Sequence, residues 1–155
     1  MKQLFFLISI LFQISSFCQI NNSLEQKAFN FFVDNILETD LSSYNVIFKG
    51  KTTKYLSFAY FKPDCINDEE FENIRNQIVK LDYRKKINIT SFRKKSKRNC
   101  NKRVKLYLHQ SNEINRINNK KIVTLAYTIN KVTYSYDFIF ENDELITWCK
   151  NSAIE

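Results

Sequence analysis

The chain has 155 residues, with 24 Lys and Arg against 16 Asp and Glu, for a formal net charge of +8. That length suits one domain, large enough to bury a core without metal or disulfide support. No stretch reaches the ~20 consecutive apolar residues that a membrane-spanning helix needs.

The N-terminus reads as a secretory signal. Lys2 supplies the positive n-region, and Leu4 to Phe12 is apolar except for Ser9, a normal h-region. Ser16-Phe17-Cys18 places small residues at the −3 and −1 positions of a signal peptidase site. The spacing predicts residues 1–18 as signal peptide and 19–155 as a single α+β domain beginning at Gln19. Two rival readings are a lipoprotein acylated on Cys18, disfavoured by the bulky Phe17 before it, and a buried N-terminal helix of the fold.

Ser23 to Glu38 is predicted as a helix. Ser23 can cap it with Gln26 three residues on, and Leu24, Ala28, Phe29, Phe32, Val33, Ile36 and Leu37 form an apolar stripe at helical spacing. Tyr44 to Lys49 and Lys54 to Phe61 alternate as two strands around the turn at Gly50, the only glycine. Asn67 to Leu81 is a second helix, with Asn67 as cap, Glu70 at the capping-box position and Asp68, Glu69 and Glu70 beside the positive end of the helix dipole. Lys85 to Phe92 has the pattern of a weaker strand. Val104 to His109, Ile122 to Ile129, Val132 to Phe140 and Leu145 to Lys150 read as an antiparallel meander, with Asn130-Lys131 as a two-residue turn and Glu141 to Glu144 as a longer one.

Helix, hairpin, helix, then strands predicts an α+β fold: a curved antiparallel sheet with two helices on one face. This layout is similar to cystatin-like and nuclear-transport-factor-like folds, a resemblance that implies architecture and no activity. Lys, Asn, Ile, Phe and Tyr are abundant, a bias that A/T-rich codons produce. With the short signal ending in Ser-Phe-Cys-Gln, the chain resembles uncharacterised small exported proteins of Bacteroidota type. That resemblance covers the signal and the layout, and it implies a periplasmic or extracellular location.

After cleavage three cysteines remain, Cys65, Cys100 and Cys149, which allows one disulfide and leaves one thiol in an oxidising compartment. Sequence does not fix the pairing. Cys65 follows one predicted strand and Cys149 ends another, which favours that pair. There is no CxxC, which argues against a redox or zinc motif.

The most informative segment is Arg84 to Lys105. It holds 11 of the Lys and Arg residues and no acid; the rest of the mature chain carries 12 basic against 16 acidic residues, a net of −4. Arg93, Lys94, Lys95, Lys97, Arg98, Lys102 and Arg103 are the candidate anion-binding residues. Their partners would be anionic lipid, lipopolysaccharide or acidic polysaccharide. Nucleic acid ranks lower, because Phe92 is the one aromatic residue between Arg84 and Lys105 and single-strand binding needs several stacking rings. The plain alternative is a solvated loop.

Other chemistry is sparse. His109 is the single histidine and sits at a strand end. Asp64, Asp68, Glu69, Glu70 and Glu72 cluster, but a helix start accounts for most of them and no calcium-loop spacing is present. Tyr55, Tyr60, Tyr107, Tyr127, Tyr134 and Tyr136 at strand spacing read as core rather than cavity lining. No catalytic, cofactor or metal residues are assigned. The sequence therefore predicts an exported, non-catalytic binding domain. Its rival is a small enzyme using Asp137 or His109 in the concave face of the sheet.

Overall fold

A computed structural model describes residues 23–53, 62–75, 84–96, 100–109, 111–115 and 119–154. The predicted signal peptide and the predicted strand Lys54–Phe61 lie outside these residues, as does the end of the second predicted helix.

Helix α1 (Leu24–Asn35) begins where Ser23 Oγ accepts the Gln26 N–H at 3.2 Å. The predicted helix breaks at Ile36, and a single turn, α2 (Leu37–Asp40), completes the apolar stripe. Ala28, Phe29, Phe32, Val33, Ile36 and Leu37 are all buried.

The sheet is built on three long antiparallel strands: β5 (Lys120–Ile129), β6 (Val132–Glu141) and β7 (Glu144–Ile154). Both connections are two-residue turns. Asn130 and Lys131 have φ of +51° and +67°, and Asn142 and Asp143 have +50° and +65°. The second turn is tighter than the predicted Glu141–Glu144 loop. Paired positive φ matches the twist of the flanking strands, and asparagine tolerates it better than most residues.

The predicted strand Val104–His109 is an interrupted one. It comprises β2 (Arg103–Lys105) and β3 (Tyr107–Leu108), and β4 (Asn112–Asn115), which the sequence did not announce, follows. Both β3 and β4 pair with β5. The short strand β1 (Asn45–Ile47) lies parallel to β2, with Val46 opposite Val104.

Alternation along β5 and β6 sends side chains to two faces. Val123, Leu125, Tyr127, Tyr136, Phe138 and Phe140 meet α1 in the main core. Ile122 and Ile139 face the other way and pack with Ile66, Ile74 and Ile114. Ile74 belongs to α3 (Asp68–Arg75). The α+β class and the antiparallel sheet are as predicted, but the two helices sit on opposite faces. An apolar stripe dictates that a helix is buried, not which side of a sheet receives it. The predicted strand Lys85–Phe92 is also corrected. Lys86 alone makes a bridge, to Lys51, and α4 (Thr90–Lys95) follows.

Candidate functional site

The basic segment is fastened to the fold rather than looped off it. Thr52 N–H donates to the Lys85 carbonyl and Lys85 N–H to Thr52 Oγ1, both at 3.0 Å. Asn88 N–H donates to Gln26 Oε1 at 2.7 Å, and Gln26 Nε2 donates back to the Asn88 carbonyl at 3.1 Å. Phe92 is buried against Phe29 and Phe48, with ring centroids 5.7 and 6.3 Å away. Ile87 and Val104 are buried too.

Two lysines of the segment serve the same anchoring. Lys85 Nζ lies 2.7 Å from Glu25 Oε1, and Lys95 Nζ lies 2.9 Å from Asp34 Oδ1. Glu25 is fully buried, and the same oxygen also accepts the Ser111 N–H at 2.9 Å and the Ser111 hydroxyl at 3.0 Å. Burial works to raise the Glu25 carboxyl; the Lys85 ammonium and the Ser111 N–H outweigh it and hold the group below the usual carboxylate range. The first turn of α1 is thus polar and buried because it clamps the basic segment and the start of β4.

The predicted anion-binding residues divide into three groups. Lys95 is engaged with Asp34. Lys97 and Arg98 lie outside the described residues. Arg93, Lys94, Lys102 and Arg103 are exposed, as are Arg84, Lys86 and Lys105 of the same segment. None of these seven makes an ion pair among the described residues. Arg93 and Lys94 ride on α4, whose Phe92 points into the main core beside Val104. Arg103 and Lys105 flank Val104 and therefore point away from that core.

Two further lysines join the exposed set, and sequence reasoning passed them over because they precede the segment. Lys49 and Lys51 flank Gly50, whose φ of +67° lets its carbonyl accept the Ile87 N–H at 2.9 Å. Lys51 stands directly opposite Lys86. The Lys-Gly-Lys run was legible as a turn; its pairing with residues 85–87 was not.

The remaining candidates have structural partners. Asp137 is buried and accepts hydrogen bonds from Thr124 Oγ1, from Asn151 Nδ2 at 2.9 Å and from Ser135 Oγ at 3.3 Å. Burial raises its carboxyl above the usual range despite these donors. His109 Nδ1 lies 3.0 Å from Thr53 Oγ1. Tyr127 and Tyr136 are core residues, with hydroxyls 3.2 Å apart. Tyr136 also donates to Asp40, which receives Lys150 Nζ at 2.6 Å. Tyr107 is exposed, and Tyr55 and Tyr60 lie outside the described residues.

The acidic cluster does the work of a helix start. Asn67 Oδ1 accepts the Glu70 N–H at 2.9 Å, Glu70 Oε2 accepts the Asn67 N–H at 3.2 Å, and Asp68 pairs with Lys62 at 2.7 Å. Among the described residues no three His, Cys, Asp or Glu side chains converge as metal ligands. No helix among them is long and apolar enough to cross a membrane. Cys65 and Cys149 form a disulfide with Cα atoms 5.8 Å apart, and Cys100 is a free thiol. The chain matches no protein-family model, and comparison with curated proteins and with solved structures finds no similar protein.

Proposed function

We propose that this chain is an exported, non-catalytic domain that binds an anionic component of the cell envelope through the basic segment 84–105. Lipid phosphate, lipopolysaccharide and acidic polysaccharide are the partners that exported cations meet first. One observation carries the reading. The segment is anchored by its apolar residues and by Lys85 and Lys95, while its other described cations stand in solvent without an ion-pair partner among the described residues. A freely solvated loop would lack such anchoring. The disulfide supports export, since such bonds persist in oxidising compartments.

The test is binding of the purified exported protein to dextran sulfate and to vesicles containing phosphatidylglycerol, at low and physiological salt. Binding is expected at low salt, and it should fall steeply as the Debye length drops from ~30 Å at 0.01 M to ~8 Å at 0.15 M. Replacing Arg93, Lys94, Lys102 and Arg103 with Gln should weaken it severalfold and leave thermal unfolding unchanged. A wild-type protein that ignores both probes at low salt overturns the proposal.

A further inference from the structure

The parallel pairing of β1 with β2 makes a two-sided ribbon out of charged sequence. Val46, Phe48, Val104 and Leu106 point into the main core. Between them, Ile47 of β1 and Lys49 just beyond it, Arg103 and Lys105 of β2, and Tyr107 at the start of β3 are all exposed. Ile47 stands opposite Lys105 in register, and Leu106 N–H donates to the Ile47 carbonyl at 2.9 Å, so the two rows are adjacent. Ile47 is 37% and Tyr107 45% exposed, two of the four large apolar side chains that reach solvent among the described residues. Lys49, Arg103 and Lys105 make no ion pair among those residues. The outward side is thus an aliphatic and an aromatic side chain set among three cations, with no acid in either row.

A soluble polyanion would satisfy the cations and leave Ile47 in water. The interfacial zone of a bilayer satisfies both chemistries. Phosphate oxygens receive Lys and Arg, the acyl boundary receives an aliphatic side chain, and tyrosine sits well at the headgroup level. We infer that the outward row of Ile47, Lys49, Arg103, Lys105 and Tyr107 docks on a bilayer bearing anionic phospholipid headgroups, with Ile47 and Tyr107 entering the boundary between headgroups and acyl chains. This rests on the anion-binding function proposed above. It names a lipid surface as the partner and this ribbon as the contact.

The test compares vesicles of equimolar phosphatidylglycerol and phosphatidylcholine with dextran sulfate, using the purified exported protein. The double variant Ile47→Ser, Tyr107→Ser should lose about tenfold or more in vesicle affinity, as loss of two inserted apolar side chains requires. Its affinity for dextran sulfate should stay within about twofold of wild type. A second variant keeps the contact and reports on it: Ile47→Trp in a Trp148→Phe background, which removes the only native tryptophan. Its emission should shift to the blue with vesicles and stay put with dextran sulfate. Equal vesicle binding by wild type and the double variant, or an emission spectrum of the second variant that vesicles leave unshifted, overturns the inference. Wild-type binding to dextran sulfate but not to vesicles overturns it while the anion-binding function stands. Binding to neither removes both.

Discussion

Lys51 and Lys86 face each other across an isolated antiparallel bridge, both exposed. Like charges directly opposite on paired strands destabilise, by roughly 0.2–1 kcal/mol. The unliganded protein therefore carries a small electrostatic cost at the position where an anion would relieve it. Lys86→Thr should raise stability by a few tenths of a kcal/mol in denaturant titrations at low salt. Lys86→Glu, which makes an opposite-charge pair with Lys51, should raise it further. Both gains should shrink in high salt. A loss of stability in both variants would show that the two side chains do not repel.

Glu25 sets an acid limit on the fold. Its folded pKa is lowered, so its contribution is complete above the unfolded value of about 4.3 and is lost as pH falls through the folded value. Asp40 behaves alike: burial raises it, but Lys150 and Tyr136 together lower it further. Glu25→Gln should cost about 1–3 kcal/mol at pH 7, since it weakens three hydrogen bonds at one buried oxygen. That cost should shrink below about pH 4. A cost independent of pH would refute the ionic role of the carboxylate.

Asp137 carries the opposite sign. Its folded pKa is raised by burial, so its contribution is fully present below the unfolded value of about 3.9 and is lost as pH rises through the folded value. Asp137→Asn should therefore be most destabilising near pH 3, and its deficit should narrow toward neutral pH. Unfolding free energies of both proteins across this range check the sign. A deficit that widens with pH would mean that Thr124, Ser135 and Asn151 outweigh desolvation.

The Cys65–Cys149 bond spans 84 positions of sequence. Chain-entropy arguments put such a bridge at about 4.5 kcal/mol, with strain and residual structure reducing it. Cys65→Ser with Cys149→Ser should lower thermal stability markedly. Thiol counting in denaturant should find one reactive thiol, Cys100, in protein that starts at Gln19, and mass spectrometry of the same sample reads the start directly. Three thiols would mean that the bridge is absent, and a chain retaining Met1 or bearing lipid on Cys18 would exclude the predicted cleavage.

The turns offer a test with the opposite outcome. Lys131 holds φ at +67° on an exposed two-residue turn, a conformation that costs a residue with Cβ but not glycine. Lys131→Gly should stabilise by about 0.5–1 kcal/mol, the Asn-Gly pair being the strongest signal for such a turn. A destabilised variant would indicate that unfolded-state entropy of the new glycine dominates.

What was legible in the sequence was local. The stripe from Leu24 to Leu37 and the alternation from Val132 to Phe140 each specify a buried face by period alone. Cap chemistry at Ser23 and Asn67 marks both helix starts. The favoured cysteine pair rests, in sequence, on little more than two strand ends, and Asp137 opposite Cys149 shows why the edge strand meets residue 65 on that face. Non-local pairing was not legible. β1 joins β2 across more than fifty residues, and a parallel pair has no turn to announce it. The alternation of Lys85 to Phe92 suggests a strand, but Phe92 has to reach Phe29 and Phe48, which a turn of helix permits. Glu25 and Gln26 look like solvent-facing helix residues; their burial depends on Lys85, Asn88 and Ser111, each distant in sequence.

Because the disulfide joins residues 65 and 149, every peptide bond between them lies within a covalent ring. The exposed basic residues from Arg84 to Lys105 are all inside it, and they mark the bonds a trypsin-like protease would attack first. A single cut there opens the ring without dividing the molecule. The nicked protein would keep its mass on a non-reducing gel and fall into two pieces only when reductant is added. Its core strands would stay held together through the edge strand β7, with the basic segment severed in place.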